Sequence, residues 1–322
     1  MKAIIFDGML TFREDYPCPE PKEKEALIRV IMAGICNTDR EIMNGYLGFH
    51  GVIGHEFVGI VEAAPEGCTD LIGKRVVGEI NCGCGVCEYC RKRIEKHCPA
   101  RTTLGIQGRD GAFAELLTLP VSNLHLVPDT VSDEEAVFAE PLAAALEISE
   151  QIHIKPTDNI LVLGDGKLGL LCALVLGVTG ARVTLAGKHE AKLKIAEDQH
   201  IETRDISTGK DNEKKVYDIV VEATGRVDGL AKAMKLTKPG GTIVLKSTVA
   251  SSAEMNLALL VIHEITLVGS RCGPFDAAIH TLEKRLIDVR PMISGIYRFK
   301  DAREAFKMAQ AKESLKIIID FR

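Results

Sequence analysis

Residues 159–169 read NILVLGDGKLG. Four apolar residues follow Asn159 and glycines then fall at 164, 166 and 169, the pattern of a buried strand that turns directly into a helix. In that setting each glycine has a separate task. Gly164 permits the tight turn, Gly166 lets a pyrophosphate approach the backbone, and Gly169 allows close helix packing. The helix start adds the partial positive charge that suits an anion. A G-x-G-x-x-G match standing alone is equally an ordinary glycine-rich turn, but the strand before it and the helix after it favour dinucleotide binding. Gly164, Gly166, Lys167, Leu168 and Gly169 are the residues expected against the cofactor.

Working outward, the strong apolar run from Leu168, LGLLCALVLGVTGA, is shorter than a bilayer span and reads as a buried helix. Strand-like segments then recur as ARVTLAG (181–187), YDIVVEATG (217–225), GGTIVLKS (240–247) and EITLVGS (264–270), with helical stretches between them. Such alternation predicts a doubly wound parallel sheet, a Rossmann domain over residues 146–274. Thr224 and Gly225, at the end of the third of these β segments, join the expected cofactor residues. An NAD site ordinarily carries an acidic residue after the second strand, to bind the ribose hydroxyls. Here the place holds Gly187, followed by Lys188 and His189. No carboxylate at 187 repels a 2′-phosphate and Lys188 offers a point charge, so NADP is expected over NAD.

Upstream of residue 130 the segments ALIRVIMAGI (26–35), VIGHEFVGIV (52–61) and KRVVGEI (74–80) are short and separated by Gly, Pro and charged turns. They predict a β-rich, barrel-like domain over residues 1–145. Ser132 with Glu135 forms a capping box that opens a helical region. The tail, 275–322, is too short for a domain of its own and is expected to complete the N-terminal one.

Within that first part lies CGVCEYCRKRIEKHC, residues 84–98. Cys84, Cys87, Cys90 and Cys98 have the compact spacing of four thiolates closed around one structural zinc. Buried thiols or a disulfide pair would be the plainer explanation. The tight spacing, and ten cysteines in a chain whose start MKAIIFDGMLTF lacks a signal-peptide core, argue for metal in a reducing cytoplasm. A second, open set is Cys36 in GICNTD and His55 in GVIGHEFVG, a thiolate and an imidazole on separate loops. Glu56, beside the histidine, and Glu140 in FAEPLAAAL are the candidates for a third ligand. Each alone has a duller reading as a core or surface residue. The net charge of -5 gives no footprint for nucleic acid.

GICNTD, GHE, the four-cysteine lobe, the EPL segment, LGDGKLG, EATG and KPGGTIV, in that order, resemble the zinc-containing medium-chain dehydrogenases over nearly the whole chain. The EPL glutamate is similar to the polyol, threonine and glucose dehydrogenase branch. The resemblance implies a GroES-like catalytic domain joined to a Rossmann domain, one catalytic and one structural zinc, and Cys36 and His55 as catalytic ligands with Glu56 or Glu140. It implies that Thr38 relays the alcohol proton and that hydride passes to nicotinamide in a cleft between the domains. A homodimer or homotetramer paired through Ile265, Leu267 and Val268 is expected, with a small alcohol or polyol as substrate. Glu41, where relatives often carry a histidine, and Pro65 depart from the pattern. The competing readings are a zinc-thiolate binding or redox-sensing module without turnover, and a zinc-independent quinone reductase, which leaves the ligands unused.

Overall fold

A computed structural model describes residues 1–207, 216–248 and 254–322. The apolar run after Asn159 forms the strand Asn159–Leu163, with its last four residues buried. It lies inside a six-stranded sheet ordered Glu202–Asp205, Arg182–Gly187, Asn159–Leu163, Tyr217–Glu222, Thr237–Leu245, Thr266–Gly269. All five pairings are parallel. This is the doubly wound sheet that the β/α alternation predicts. Chain order reverses at Asn159–Leu163, and such a switch point leaves a crevice at the carboxyl ends of the strands. Leu163 pairs with Ala186 on one side and Glu222 on the other, so Gly164, Gly187 and Ala223 follow at the same end of the sheet. The helix Lys167–Val178 buries eight successive residues from Gly169 to Leu176, the interior helix that its composition predicts. Among the described residues no helix is long and apolar enough to cross a membrane.

The chain divides into two compact units, residues 1–140 with 278–284 and 293–322, and residues 141–277 with 285–292. The second holds the parallel sheet. The first is built on a seven-stranded, mainly antiparallel sheet centred on Glu25–Ile35, which pairs with Glu56–Ala63, Leu116–Pro120 and Lys316–Asp320. Register matters here. Gly34 lies opposite Glu56 on one side and Ile318 on the other, which brings a residue from each end of the chain to the same point. The capping box of Ser132 and Glu135 forms as expected, with Glu135 N–H donating to Ser132 Oγ at 3.2 Å and Ser132 N–H to Glu135 Oε2 at 3.0 Å.

Candidate active site

Cys36 follows the strand Glu25–Ile35 and caps the helix Asn37–Met43. His55 and Glu56 stand where the chain enters the strand Glu56–Ala63. Pairing of these two strands brings the segments together, and the ligand atoms of Cys36, His55 and Glu56 all lie within 4.8 Å of one another. His55 and Glu56 are buried and Cys36 is partly exposed, so the cluster opens on the thiol side. Thr38 Oγ1 stands 3.8 Å from Cys36 Sγ.

The electrostatics suit a cation. Burial acts to lower the His55 pKa, but the Asp39 carboxylate and the Cys36 thiol outweigh it and leave the imidazole well above its ordinary value. Asp39 is fully buried, with Oδ1 3.3 Å from His55 Nδ1 and Oδ2 accepting the Cys36 N–H at 2.8 Å. One carboxylate thereby bonds the backbone of one candidate ligand and lies close to the ring of the other, the place that outer partners take at metal sites. Glu56 binds Lys316 Nζ through Oε2, while its buried Oε1 has no hydrogen-bond partner. A buried anionic oxygen without a donor is costly. A divalent metal beside a thiol and an imidazole would satisfy it, and the donor set suits zinc.

Glu140, the other candidate, stands in the helix Ala139–Gln151 and is not a member of that trio. Burial pushes its carboxyl up to about 7; His55 pulls it down, while Glu56 and Glu79 add to the rise. It is within electrical reach of the cluster.

Lys316 and Asp39 escaped the sequence reading. Asp39 has a local sign, since it sits three residues after the cap in GICNTD; Lys316 has none. Gly34 makes room for the ion pair: a Cβ there would meet Glu56 Oε2 at 2.4 Å and Lys316 Cδ at 3.2 Å. Both partners are only 1% exposed, so removing one strands the other's charge. Lys316→Met is expected to lower unfolding free energy by about 3–5 kcal/mol in urea titrations. An unchanged midpoint would mean that the pair carries no such weight.

Cys84, Cys87, Cys90 and Cys98 also have all four sulfurs within 4.8 Å of one another, and all are free thiols. Backbone N–H groups of Val86 and Cys87 bring Cys84 down to about 6, whereas burial drives Cys90 up to about 12. Four thiols this close cannot all ionise unless a cation holds them, and an all-sulfur tetrad fits zinc. The lobe has little else to hold it. Its apolar side chains face outward, with Val86 69%, Tyr89 43% and Ile94 37% exposed.

In the second unit the glycine turn fits a pyrophosphate. Gly164 adopts φ +109°, and a Cβ there would meet Ala223 O at 2.6 Å; one at Gly169 would meet Gly164 O at 1.8 Å. Around Gly166, the cap of the helix Lys167–Val178, there is open space. Lys167 and Leu168 are partly buried in its first turn. Glu222 accepts the Thr224 N–H at 2.9 Å and the Thr224 hydroxyl, and Gly225 N–H donates to Ser247 Oγ at 2.8 Å, which fixes the turn after the fourth strand of the sheet's chain order.

The space of a side chain at Gly187 is filled by Asp165, another residue the sequence reading passed over inside its own glycine motif. A Cβ at 187 would lie 2.5 Å from Asp165 Oδ2. That oxygen accepts the N–H groups of Lys188 and His189, each at 2.7 Å, and lies 2.9 Å from His189 Nδ1. Burial opposes ionisation of Asp165, but the His189 and Lys188 amides and the His189 ring outweigh it and keep its carboxyl below the usual range. Lys188 is exposed.

Residues 22–129 match the family described as alcohol dehydrogenase GroES-like domain, and residues 136–321 match glucose dehydrogenase C-terminus. A chain that couples these two parts is a medium-chain dehydrogenase. It belongs to the zinc-containing, alcohol dehydrogenase-like branch of that family, which bears out the resemblance of its motifs. It is 29% identical to D-arabitol-phosphate dehydrogenase of Enterococcus avium, over 95% of this chain and 92% of that one. A zinc-binding dehydrogenase of Sinorhizobium meliloti 1021, solved bound to NADP, superposes with a TM-score of 0.91 at 28% identity, covering 99% of this chain and 98% of the other. An alcohol dehydrogenase (rspB) from Escherichia coli CFT073, solved with NADH, gives 0.89 at 26% identity, covering 100% and 99%.

Proposed function

We propose that this chain is a zinc-dependent, NAD(P)-linked dehydrogenase that oxidises a secondary hydroxyl of a small polyol, or reduces the matching ketose. The observation that carries the reading is the trio of Cys36, His55 and Glu56, open on its thiol side and holding one unsatisfied carboxylate oxygen. Polyol chemistry is supported by the arabitol-phosphate relative, and nicotinamide by the two neighbours solved with NADP and NADH. Residues 1–145 with 275–322 form the catalytic domain in this reading, and residues 146–274 the cofactor domain.

Cys36 and His55 hold the catalytic metal with Glu56, and Glu140 serves the same site from outside the trio. Cys84, Cys87, Cys90 and Cys98 hold a second, structural zinc. When bound, the catalytic zinc supplies Lewis acidity to the alcohol oxygen. Thr38, next to Cys36, takes the hydroxyl proton. The turn from Gly164 to Gly169 seats the cofactor pyrophosphate, Thr224 and Gly225 line its nicotinamide half, and the chain's part in hydride transfer is to fix that half in place.

NADP is the preferred cofactor in this reading, supported by the exposed ammonium of Lys188, although the Asp165 carboxyl fills the side-chain space at Gly187. Steady-state oxidation of xylitol, sorbitol, arabitol and arabitol phosphate with each cofactor tests substrate class and preference together. The expected result is turnover of at least one polyol, with higher kcat/KM for NADP and a selective fall on Lys188→Ala. Higher kcat/KM with NAD, untouched by Lys188→Ala, would contradict the preference.

The protein works as a homodimer or homotetramer paired at the strand Thr266–Gly269, which ends the sheet. Leu267 on this strand is 40% exposed, and Val261 and Ile262 before it are 77% and 70% exposed, an apolar edge of the kind that pairing covers. Ile265 is buried and belongs to the core instead. Light scattering is expected to give a dimer or larger; a monomer would contradict it. The enzyme is cytoplasmic in this reading, which its ten free cysteines support and cell fractionation checks.

A further inference from the structure

We infer that Lys246 is a positioning residue for the nicotinamide half of the cofactor, acting through the segment at Ser270 and Arg271, which its buried ammonium ties to the helix Ala139–Gln151. The inference rests on the dehydrogenase reading above and adds to it a residue that neither the metal sites nor the glycine turn uses. Lysine is seldom buried, because its charge is costly away from water. Lys246 is only 6% exposed. Its Nζ donates to Ala144 O at 2.6 Å, to Ser270 Oγ at 3.1 Å and to Arg271 O at 3.1 Å. All of these residues belong to the second unit.

The place of this cluster gives it its task. Lys246 directly follows the strand Thr237–Leu245, and Ser270 the strand Thr266–Gly269, so both stand at the carboxyl ends of the parallel strands, where the crevice lies. The backbone is tied there as well, Lys246 N–H donating to Glu222 O at 2.9 Å and Ser270 N–H to Leu245 O at 3.1 Å. Ser247, next to Lys246, accepts the Gly225 N–H. In a doubly wound sheet the pyrophosphate sits at the switch point and adenosine lies over the half that holds the second strand. The nicotinamide half then falls to the strands Tyr217–Glu222, Thr237–Leu245 and Thr266–Gly269, whose ends Lys246 joins. Two further contacts press the same segment onto the helix: Gln151 Nε2 donates to Gly269 O at 3.1 Å, and a Cβ on Gly273 would meet Ala143 O at 2.0 Å. Between these two points Lys246 sets where the backbone of 270 and 271 lies. An apolar side chain of the same length would fill the space and direct neither the hydroxyl nor the carbonyl.

The test is calorimetric binding to the full chain of NADH against ADP-ribose, which lacks the nicotinamide, and of NADPH against 2′-phospho-ADP-ribose, so that the outcome does not depend on which cofactor is preferred. The wild-type chain is expected to bind the better reduced cofactor more tightly than its nicotinamide-free counterpart. Lys246→Met keeps the length and removes the charge. It should weaken the reduced cofactor by about tenfold and leave the counterpart within about twofold, the size expected for losing charge-assisted contacts. Ser270→Ala removes one acceptor and leaves the ammonium in place; it should give the same selective loss at about threefold, and it decides the matter if Lys246→Met does not fold. Equal weakening of both members of a pair, which a purely structural lysine would give, or no weakening of either, overturns the inference alone. A wild type that binds both members of each pair equally well overturns it too. A wild type that binds none of the four nucleotides overturns the dehydrogenase reading and this inference with it.

Discussion

Cys36→Ser is expected to cost roughly 1,000-fold in kcat, and to do so in a folded protein. Serine is almost isosteric with cysteine, but its hydroxyl stays protonated at neutral pH and does not replace a soft anionic ligand. Only His55 and Glu56 of the trio then remain, and Glu56 is drawn to Lys316. Lewis-acid activation is worth several kcal/mol, and a loss of about 4 kcal/mol corresponds to three factors of ten. The fold should not suffer. Cys36 is partly exposed and occupies the N-cap of the helix Asn37–Met43, where serine is among the favoured residues. The check is kcat beside a thermal melt. An enzyme of full activity after Cys36→Ser would remove this residue from the catalytic site.

The second large effect is Cys90→Ser, and it runs the other way, against structure. The lobe from 83 to 101 has two short helical turns, and its apolar side chains Val86, Tyr89 and Ile94 face outward. Without a core of its own, it would depend on a metal held by the four cysteines. Binding of structural zinc by four ligands is worth about 10–16 kcal/mol in small peptides, more than such a loop can supply from contacts. Removing one thiolate should cost about one zinc per chain and make the lobe a preferred site of proteolysis. Metal analysis by mass spectrometry and limited digestion with mapping of the cut sites decide it. Unchanged zinc content with an uncut lobe would mean that the four sulfurs do not form a metal site.

Much of this architecture is local in sequence. The parallel sheet could be read from NILVLGDGKLG because strand, turn and helix lie within one short stretch, each glycine answering to one close approach. The four-cysteine lobe and the Ser132/Glu135 box are local in the same way. What was not legible depends on pairings between distant segments. Lys316 meets Glu56 across 260 residues because the strands that carry them pair on either side of Glu25–Ile35, with Glu56 opposite Gly34 and Lys316 two residues before Ile318, the other partner of Gly34, and no spacing rule connects them. Glu140 looked as strong a third ligand as Glu56 in the sequence. Which of them joins Cys36 and His55 is set by how Glu56–Ala63 pairs with Glu25–Ile35. Asp165 was hidden for another reason. It lies inside a motif whose glycines absorb the attention, and its role appears only when Gly187 proves to have its side-chain space already filled.

The central claim is that hydride transfer by this chain depends on metal held at Cys36, His55 and Glu56. The most direct measurement is polyol oxidation, followed by absorbance of the reduced nicotinamide, on enzyme stripped by a chelator and then titrated with zinc, with bound metal counted at each step. The account predicts that turnover disappears with the metal and returns as zinc refills the site, and that Cys36→Ser does not recover. Turnover that persists in fully metal-free enzyme would contradict it.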